Sequence, residues 1–359
     1  TSRANDDPFE AEMLFATNQG RWGFSLSGAY HERTNRETGT RESNWITTEV
    51  LAQSEGYFRV DASNPNFNNG NQRADGNTFY REPAAYLIKD NNRIRKNLQA
   101  TLQFDLTADL RATVDYTNSG VEFESTGMLF GSWLGGWDTQ SATINANGAF
   151  TDVVVGNRAY DHTATWSKLE SDNNSYGFNL AWDVSDSLQL SLDYHSSTAE
   201  LDGNIFDNEL GFTTDNKATV TVTGAGSSGI NSFSYDDEFN PSNYMGTYLF
   251  LRDGFQENEI EQVQLKGTWT SLATSGLVSV DFGLSSIENN YLNQAREGNF
   301  GSQGPAAADY DDSLFERRTL GGSFMDSFNR TIGTPYYYSI NPSAALDAFA
   351  AVNQGLADA

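Results

Sequence analysis

The sequence predicts an all-β chain, an antiparallel transmembrane β-barrel wall of about eight strands with long external loops, taken as part of a larger barrel. Three observations predict it. One hairpin pattern recurs four times, its connections alternate between short turns and long segments, and aromatic residues recur at fixed places along each hairpin.

The pattern is clearest in the middle of the chain. Leu98, Ala100, Leu102 and Phe104 share one face of a strand while Asn97, Gln99, Thr101, Gln103 and Asp105 take the other, because strand side chains alternate with period two. After a turn over Asp105 to Asp109, Leu110, Ala112, Val114 and Tyr116 resume the apolar face against Arg111, Thr113, Asp115 and Thr117. The frame repeats 78 positions on (182−104): Tyr176, Phe178, Leu180 and Trp182 lead through Asp183 to Ser187 into Leu188, Leu190, Leu192 and Tyr194. Nearer the N-terminus, Phe9, Ala11, Met13 and Phe15 lead through Thr17 to Arg21 into Trp22, Phe24, Leu26, Gly28 and Tyr30. Nearer the C-terminus, Val263, Leu265, Gly267 and Trp269 lead through Thr270 to Gly276 into Val278, Val280, Phe282 and Leu284. Strands are therefore expected near residues 9–16, 22–32, 97–105, 110–118, 176–183, 188–196, 262–270 and 277–286, leaving two unpaired edges. Connections this short, rich in Gly, Asn, Asp and Ser, join antiparallel neighbours.

Between hairpins lie residues 31 to 97, 117 to 175 and 195 to 262, with a tail from 285 to 359. Loops beyond about 12–15 residues are uncommon in compact soluble domains. Long connections at one end and short turns at the other are the asymmetry of outer-membrane barrels. Phe15, Phe104, Trp182 and Trp269 each hold the last apolar-face position before a short turn, and Tyr30, Tyr116 and Tyr194 sit toward the other end. Rings gather where hydrocarbon meets headgroup, so the two rows are expected as girdles rather than as lids of a soluble core.

Composition excludes several classes. Hydrophobic residues are 38% of the chain, mean hydropathy is -0.55, and no run of about 18 apolar residues exists to form a membrane-spanning helix. The formal charge is 22−48 = -26 with a pI near 4.3, and no basic stripe is present, so nucleic acid is not an expected partner. Without Cys there is neither disulfide nor thiolate metal site.

The repeated form Leu98-Gln-Ala-Thr-Leu-Gln-Phe-Asp105 followed by Leu110-Arg-Ala-Thr-Val-Asp-Tyr-Thr-Asn-Ser119, with connections of around sixty residues, resembles the barrel domain of TonB-dependent receptors of Gram-negative outer membranes. The resemblance covers most of residues 9 to 286. It implies energised uptake of a large scarce nutrient, such as a ferric siderophore, cobalamin or an oligosaccharide, with outer-membrane lipid around the wall and TonB acting through a plug domain. That plug and a closing aromatic C-terminal strand have no counterpart between Thr1 and Ala359, so residues 1–359 are expected to be a partial barrel domain. A passive porin-like channel, and a secreted all-β protein that binds or hydrolyses carbohydrate, are the alternatives.

No residue set for catalysis, cofactor or metal stands out, and the chain is not expected to be an enzyme. His31, His162 and His195 lack ligand spacing, and no G-x-S-x-G elbow appears. Gly224-Ala-Gly-Ser-Ser-Gly229 matches a dinucleotide-binding string but leads into Ile230-Asn-Ser-Phe-Ser-Tyr235, which is not helical. Trp133 and Trp137, within Gly131 to Asp138, are the candidate ligand-stacking residues, with loop packing as their ordinary role. Asp309 to Asp312 and Asp236 to Glu238 carry oxygens suited to calcium but lack the spacing of a defined loop. A helix is expected after Pro342, with Ser343 as its N-cap.

Overall fold

The computed structural model describes residues 8–42, 45–47, 79–81, 84–133, 139–144, 150–204, 206–223, 232–272, 276–301, 310–322, 324–325 and 333–352. In chain order the strands are β1 (Phe9–Gln19), β2 (Trp22–Glu42), β3 (Trp45–Thr47), β4 (Phe79–Arg81), β5 (Ala84–Asp105), β6 (Leu110–Ser132), β7 (Thr139–Ile144), β8 (Phe150–Arg158) and β9 (Asp161–Ser185). They continue with β10 (Leu188–Gly203), β11 (Asn208–Thr214), β12 (Ala218–Thr223), β13 (Ser232–Tyr235), β14 (Tyr244–Thr270), β15 (Ser279–Gly301), β16 (Phe315–Thr319) and β17 (Tyr336–Ile340), followed by helix α1 (Pro342–Val352). Among the described residues the fold is all-β apart from α1 and short 3-10 turns.

All four expected hairpins form, and they join into one antiparallel wall in the order β1-β2-β5-β6-β9-β10-β14-β15. β11 continues the place of β10. Beyond Gly203 the ladder breaks, then Leu210 falls opposite both Ala164 of β9 and Leu249 of β14. Glycine is required at the break, because Gly203 has φ +115° and a Cβ there would lie 2.1 Å from the Lys168 carbonyl oxygen. Among the described residues β1 and β15 each pair on one side only, so the wall has the two open edges that its alternation predicts.

The wall is staggered at a constant rate. Crossing it from partner to partner, Trp22 leads to Phe104, Ala112, Leu180, Leu192 and Leu265, a path that climbs two residues away from the turns with each hairpin crossed. One residue of shift per strand, at ~3.4 Å per residue and ~4.8 Å between strands, corresponds to a tilt of about 35°, within the range at which sheets curl into barrels.

The strands run much further than apolar alternation marks. β2, β5, β6, β9, β14 and β15 span 21, 22, 23, 25, 27 and 23 residues. Large parts of 31–97, 117–175 and 195–262, expected as loops, are therefore strand. Their alternation is polar on both faces, as in Arg33-Thr34-Asn35-Arg36 opposite Asp90-Asn91-Asn92-Arg93, so no apolar period reveals them. Backbone bonds to neighbouring strands on both sides hold them extended.

Because β5 and β6 pair without a register shift, the face of Leu98 to Phe104 is also the face of Tyr86 and Ile88. That face has three zones. Near the turns it is apolar and bare: Phe15, Phe104, Trp182 and Trp269 are 53, 42, 47 and 38% exposed, which excludes them as lids of a core within the described residues. Above lies a charged belt with the pairs Arg36–Asp90, Lys96–Glu122 and Lys168–Glu170. The belt also sets Asp172 opposite Glu200 and Glu200 opposite Glu257, like charges that only solvated carboxylates tolerate. Furthest from the turns the same face is covered by the main hydrophobic core.

That core joins wall residues to segments between and after the hairpins. β13-β12-β8-β7 form a second sheet, and β16 pairs with β17. Tyr86 stacks on Phe233 at 4.2 Å, Phe130 on Tyr337 at 5.0 Å and Tyr244 on Phe315 at 4.9 Å. α1 rests on this layer through buried Ala345 and Phe349. Its cap differs from expectation: the Asn341 side chain, rather than Ser343, accepts from the Ala344 N–H at 3.2 Å, since Pro342 is already the first helical residue.

His162 sits at the centre of the layer, 1% exposed, among Tyr160, Tyr244, Tyr338 and Phe130. The Tyr338 N–H donates to its Nε2 at 3.2 Å, pinning β17 to the wall. Burial drives its pKa from the ordinary 6.5 down to about 3. Between those values the unfolded chain binds a proton that the folded layer does not, so its stabilisation is complete above pH 6.5 and is lost as pH falls. Its neighbour Asp161, whose pKa is raised by burial, acts in the opposite sense. Acidification from pH 7 to 4 is expected to lower the amide protection factors, referred to the intrinsic exchange rate at each pH, in β17 and α1 while those of turn-end strands hold. His162→Phe should flatten that dependence, and an unchanged pH profile in the variant excludes His162 as its source.

Candidate functional site

The opposite face of the wall is mostly polar, with scattered apolar residues such as Leu14, Val121, Phe123 and Ile260, and a cleft lies on it toward the layer end. Lys89 on β5 reaches the Asp207 carboxylate, in the break between β10 and β11, at 3.0 and 2.8 Å. Arg252 on β14 donates from Nη1 to the Asp207 carbonyl at 2.6 Å and lies 3.7 Å from Glu209 and 3.9 Å from Glu297. The break itself is tied down, since Asn208 Oδ1 accepts from the Arg252 N–H at 2.6 Å and the Asn204 amide donates to the Arg252 carbonyl. Two cations and three carboxylates thus meet over four strands and one strand interruption.

Tyr248 lies beside the cleft, next to its Glu209. Its ring lies over Gly211, where a Cβ would come within 2.3 Å of the ring, and this lets its hydroxyl reach Thr163 at 2.9 Å on the far strand and Glu209 at 3.5 Å. Burial raises its pKa to about 12, so it remains a neutral donor. Phe206 and Leu129 add apolar surface, and the cleft has a volume of about 610 Å³. Nearby on the same face, Asn91 Oδ1, Ser125 Oγ and Thr165 Oγ1 are buried without a hydrogen-bond partner among the described residues. Buried polar oxygens require partners, so this end of the face favours water or a polar ligand. The arrangement can bind a polar, multiply hydrogen-bonding molecule. It has no nucleophile–base pair, and no group of three potential metal ligands occurs among the described residues.

Other residues singled out by sequence lie elsewhere. Trp133 is 57% exposed beyond β6, its N–H donating to Asp161 and its carbonyl accepting from Arg158. Trp137 and Gly224 to Gly229 lie outside the described residues. Asp236 accepts from the Thr219 N–H, Asp237 from the Glu238 N–H, and Asp311 from the Ser313 N–H, so these acidic segments cap turns. His31 faces Glu10 at 3.7 Å and Glu12 at 3.2 Å. Lys89, Asp207, Glu209 and Arg252 carry no motif in sequence, because a strand break and three separate strands bring them together. The described connecting segments cover the far end of the apolar face.

Comparison of the chain with protein-family models, with curated proteins and with solved structures found no match.

Lys89 and Asp207 are both mostly buried, so removing one strands the other. Lys89→Ala and Asp207→Ala are each expected to cost about 1–2 kcal/mol, with a coupling near 1 kcal/mol in the double variant. Chemical denaturation measures it, and strictly additive losses would show the pair to be unlinked.

Proposed function

We propose that this chain is a stretch of outer-membrane barrel wall of the TonB-dependent receptor type, in which the bare apolar zone meets lipid and the polar face lines the lumen. The exposed apolar zone with its turn-side aromatic row supports the reading most strongly. From Trp22 to Tyr30 is eight residues (30−22), about 26 Å along the strand and roughly 21 Å along an axis tilted by 35°. Outer-membrane barrels present an apolar band of about 25 Å between aromatic girdles. A water-soluble protein has no use for so many bare rings on one continuous face.

The polar face supports the lumen assignment. Near the turns it carries Gln99, Thr101, Thr113, Asn179 and Ser191, with cross-strand bonds such as Asn179 to Asp193 at 2.6 Å. The charged cleft at Lys89, Asp207 and Arg252 then lies at the external mouth, where incoming cargo first meets the wall. Eight strands with open edges call for further strands, and a barrel of about 22 supplies them. In this reading the layer around His162 stands above the membrane against the outer face of the wall.

The two faces make opposite predictions. Leu192→Arg, on the apolar face, is expected to destabilise the bilayer-inserted protein by about 2–4 kcal/mol, whereas Ser191→Arg, one residue away on the polar face, is tolerated. Refolding into lipid vesicles followed by urea titration measures both. Equal penalties contradict the face assignment, and a monomer that stays soluble without detergent contradicts the membrane reading. In the parent protein, uptake that stops when the TonB system is removed marks a receptor, and uptake that continues marks a passive channel.

A further inference from the structure

A second cleft opens on the other face of the wall, between the charged belt and the underside of the C-terminal layer. Its volume of about 690 Å³ lies in the ~300–1,000 Å³ range of small-ligand sites. β2, β5, β6 and β9 form one side, while β16, β17 and the start of α1 form the other.

Three properties narrow what it can hold. The first is charge: Arg36, Lys168 and Arg318 face Asp90, Glu124 and Glu316, three of each sign in a chain of net charge -26. Nothing here selects a strongly charged ligand. The second is rigidity. Arg36 grips Asp90 through two parallel bonds, Nε to Oδ1 at 2.5 Å and Nη2 to Oδ2 at 2.6 Å. Arg318 donates to Glu316 from both Nε and Nη2, at 3.2 and 2.8 Å. Each guanidinium keeps further N–H donors, and each carboxylate keeps lone pairs, in fixed planes. The third is surface type, since Trp166 offers a half-buried indole above Ile88 and Met128, and Ser339 and Ser343 supply hydroxyls on the opposite lip. Planar paired donors and acceptors beside an aromatic face suit vicinal hydroxyls and the C–H face of a sugar ring.

We propose that this cleft is a binding subsite for an uncharged oligosaccharide, separate from the polar-face cleft and on the other side of the wall. Asp90 lies eight residues (98−90) beyond Leu98, about 26 Å along the strand from the apolar zone. On the membrane reading that height is above lipid headgroups, within reach of a glycolipid's sugar chain or of free oligosaccharide from outside. The choice between these two sources rests on that reading, and the sugar chemistry does not.

The test uses the full chain in detergent, with maltohexaose and chitotetraose as free neutral probes and lipopolysaccharide with and without its outer sugars as the membrane-borne probe. Calorimetry is expected to show saturable binding in at least one arm. Trp166→Ala removes the stacking face, and Ser343→Trp fills the cleft at the loss of one hydroxyl; each should weaken binding by about tenfold or more. Gln99→Ala, at the turn end of the polar face, should leave it unchanged, with circular dichroism confirming the fold of every variant. Absence of binding in both arms, tighter binding of polygalacturonate than of the neutral probes, or full affinity in both folded cleft variants overturns the proposal. A chain that inserts into vesicles yet binds neither form overturns this inference alone. A soluble chain that binds the free probes sustains it and overturns the membrane reading.

Discussion

Everything in this molecule depends on an unbroken pleat. Where β5, β6 and β9 pair without a register shift, each residue's face is decided by parity alone over more than twenty positions. A slip of one residue would turn Leu98, Leu102 and Phe104 to the polar face and carry Tyr86 away from Phe233 in the same movement. The bare apolar zone and the aromatic core are therefore one constraint expressed at two ends. The ladder stops after Gly203 and resumes at Asn208, and there Asp207 meets Lys89 and Arg252.

Between the two apolar ends, the charged belt keeps them from merging. A face apolar throughout would aggregate or sink beyond the width of any membrane, whereas carboxylates such as Asp172, Glu200 and Glu257 must stay hydrated. Their mutual repulsion opposes pairing, and Arg36–Asp90 and Lys168–Glu170 offset part of it. Exposed pairs of this kind contribute about 0–1 kcal/mol each, so the belt is held by backbone ladders on both sides more than by charge.

Sequence made the hairpins, their turns and their two faces legible, because apolar period-two alternation is a local signal. Strand length was not legible, since Thr34-Asn35-Arg36 and Asp90-Asn91-Asn92 alternate without hydrophobic contrast. The core was hidden for a different reason. Tyr86 follows two alanines, Phe233 lies between serines and Tyr337 is the middle of three tyrosines, and only the folded sheet shows that they converge. For His162 the sequence showed only the lack of ligand spacing, and its burial follows from parity with Ala164 on a strand that apolar alternation does not reveal. The candidate clefts were invisible too, assembled as they are from single charges on separate strands.

The central claim is that the Leu98–Phe104 face meets lipid and its opposite meets water. The chain has no native cysteine, so single cysteines at Phe178 and Leu192, and at Asn179 and Ser191, can each carry an environment-sensitive fluorophore after refolding into bilayers containing brominated lipid. The account predicts blue-shifted emission quenched by bromine at Phe178 and Leu192, and red-shifted emission quenched by aqueous iodide at Asn179 and Ser191. The same aqueous quenching at all four positions would contradict it.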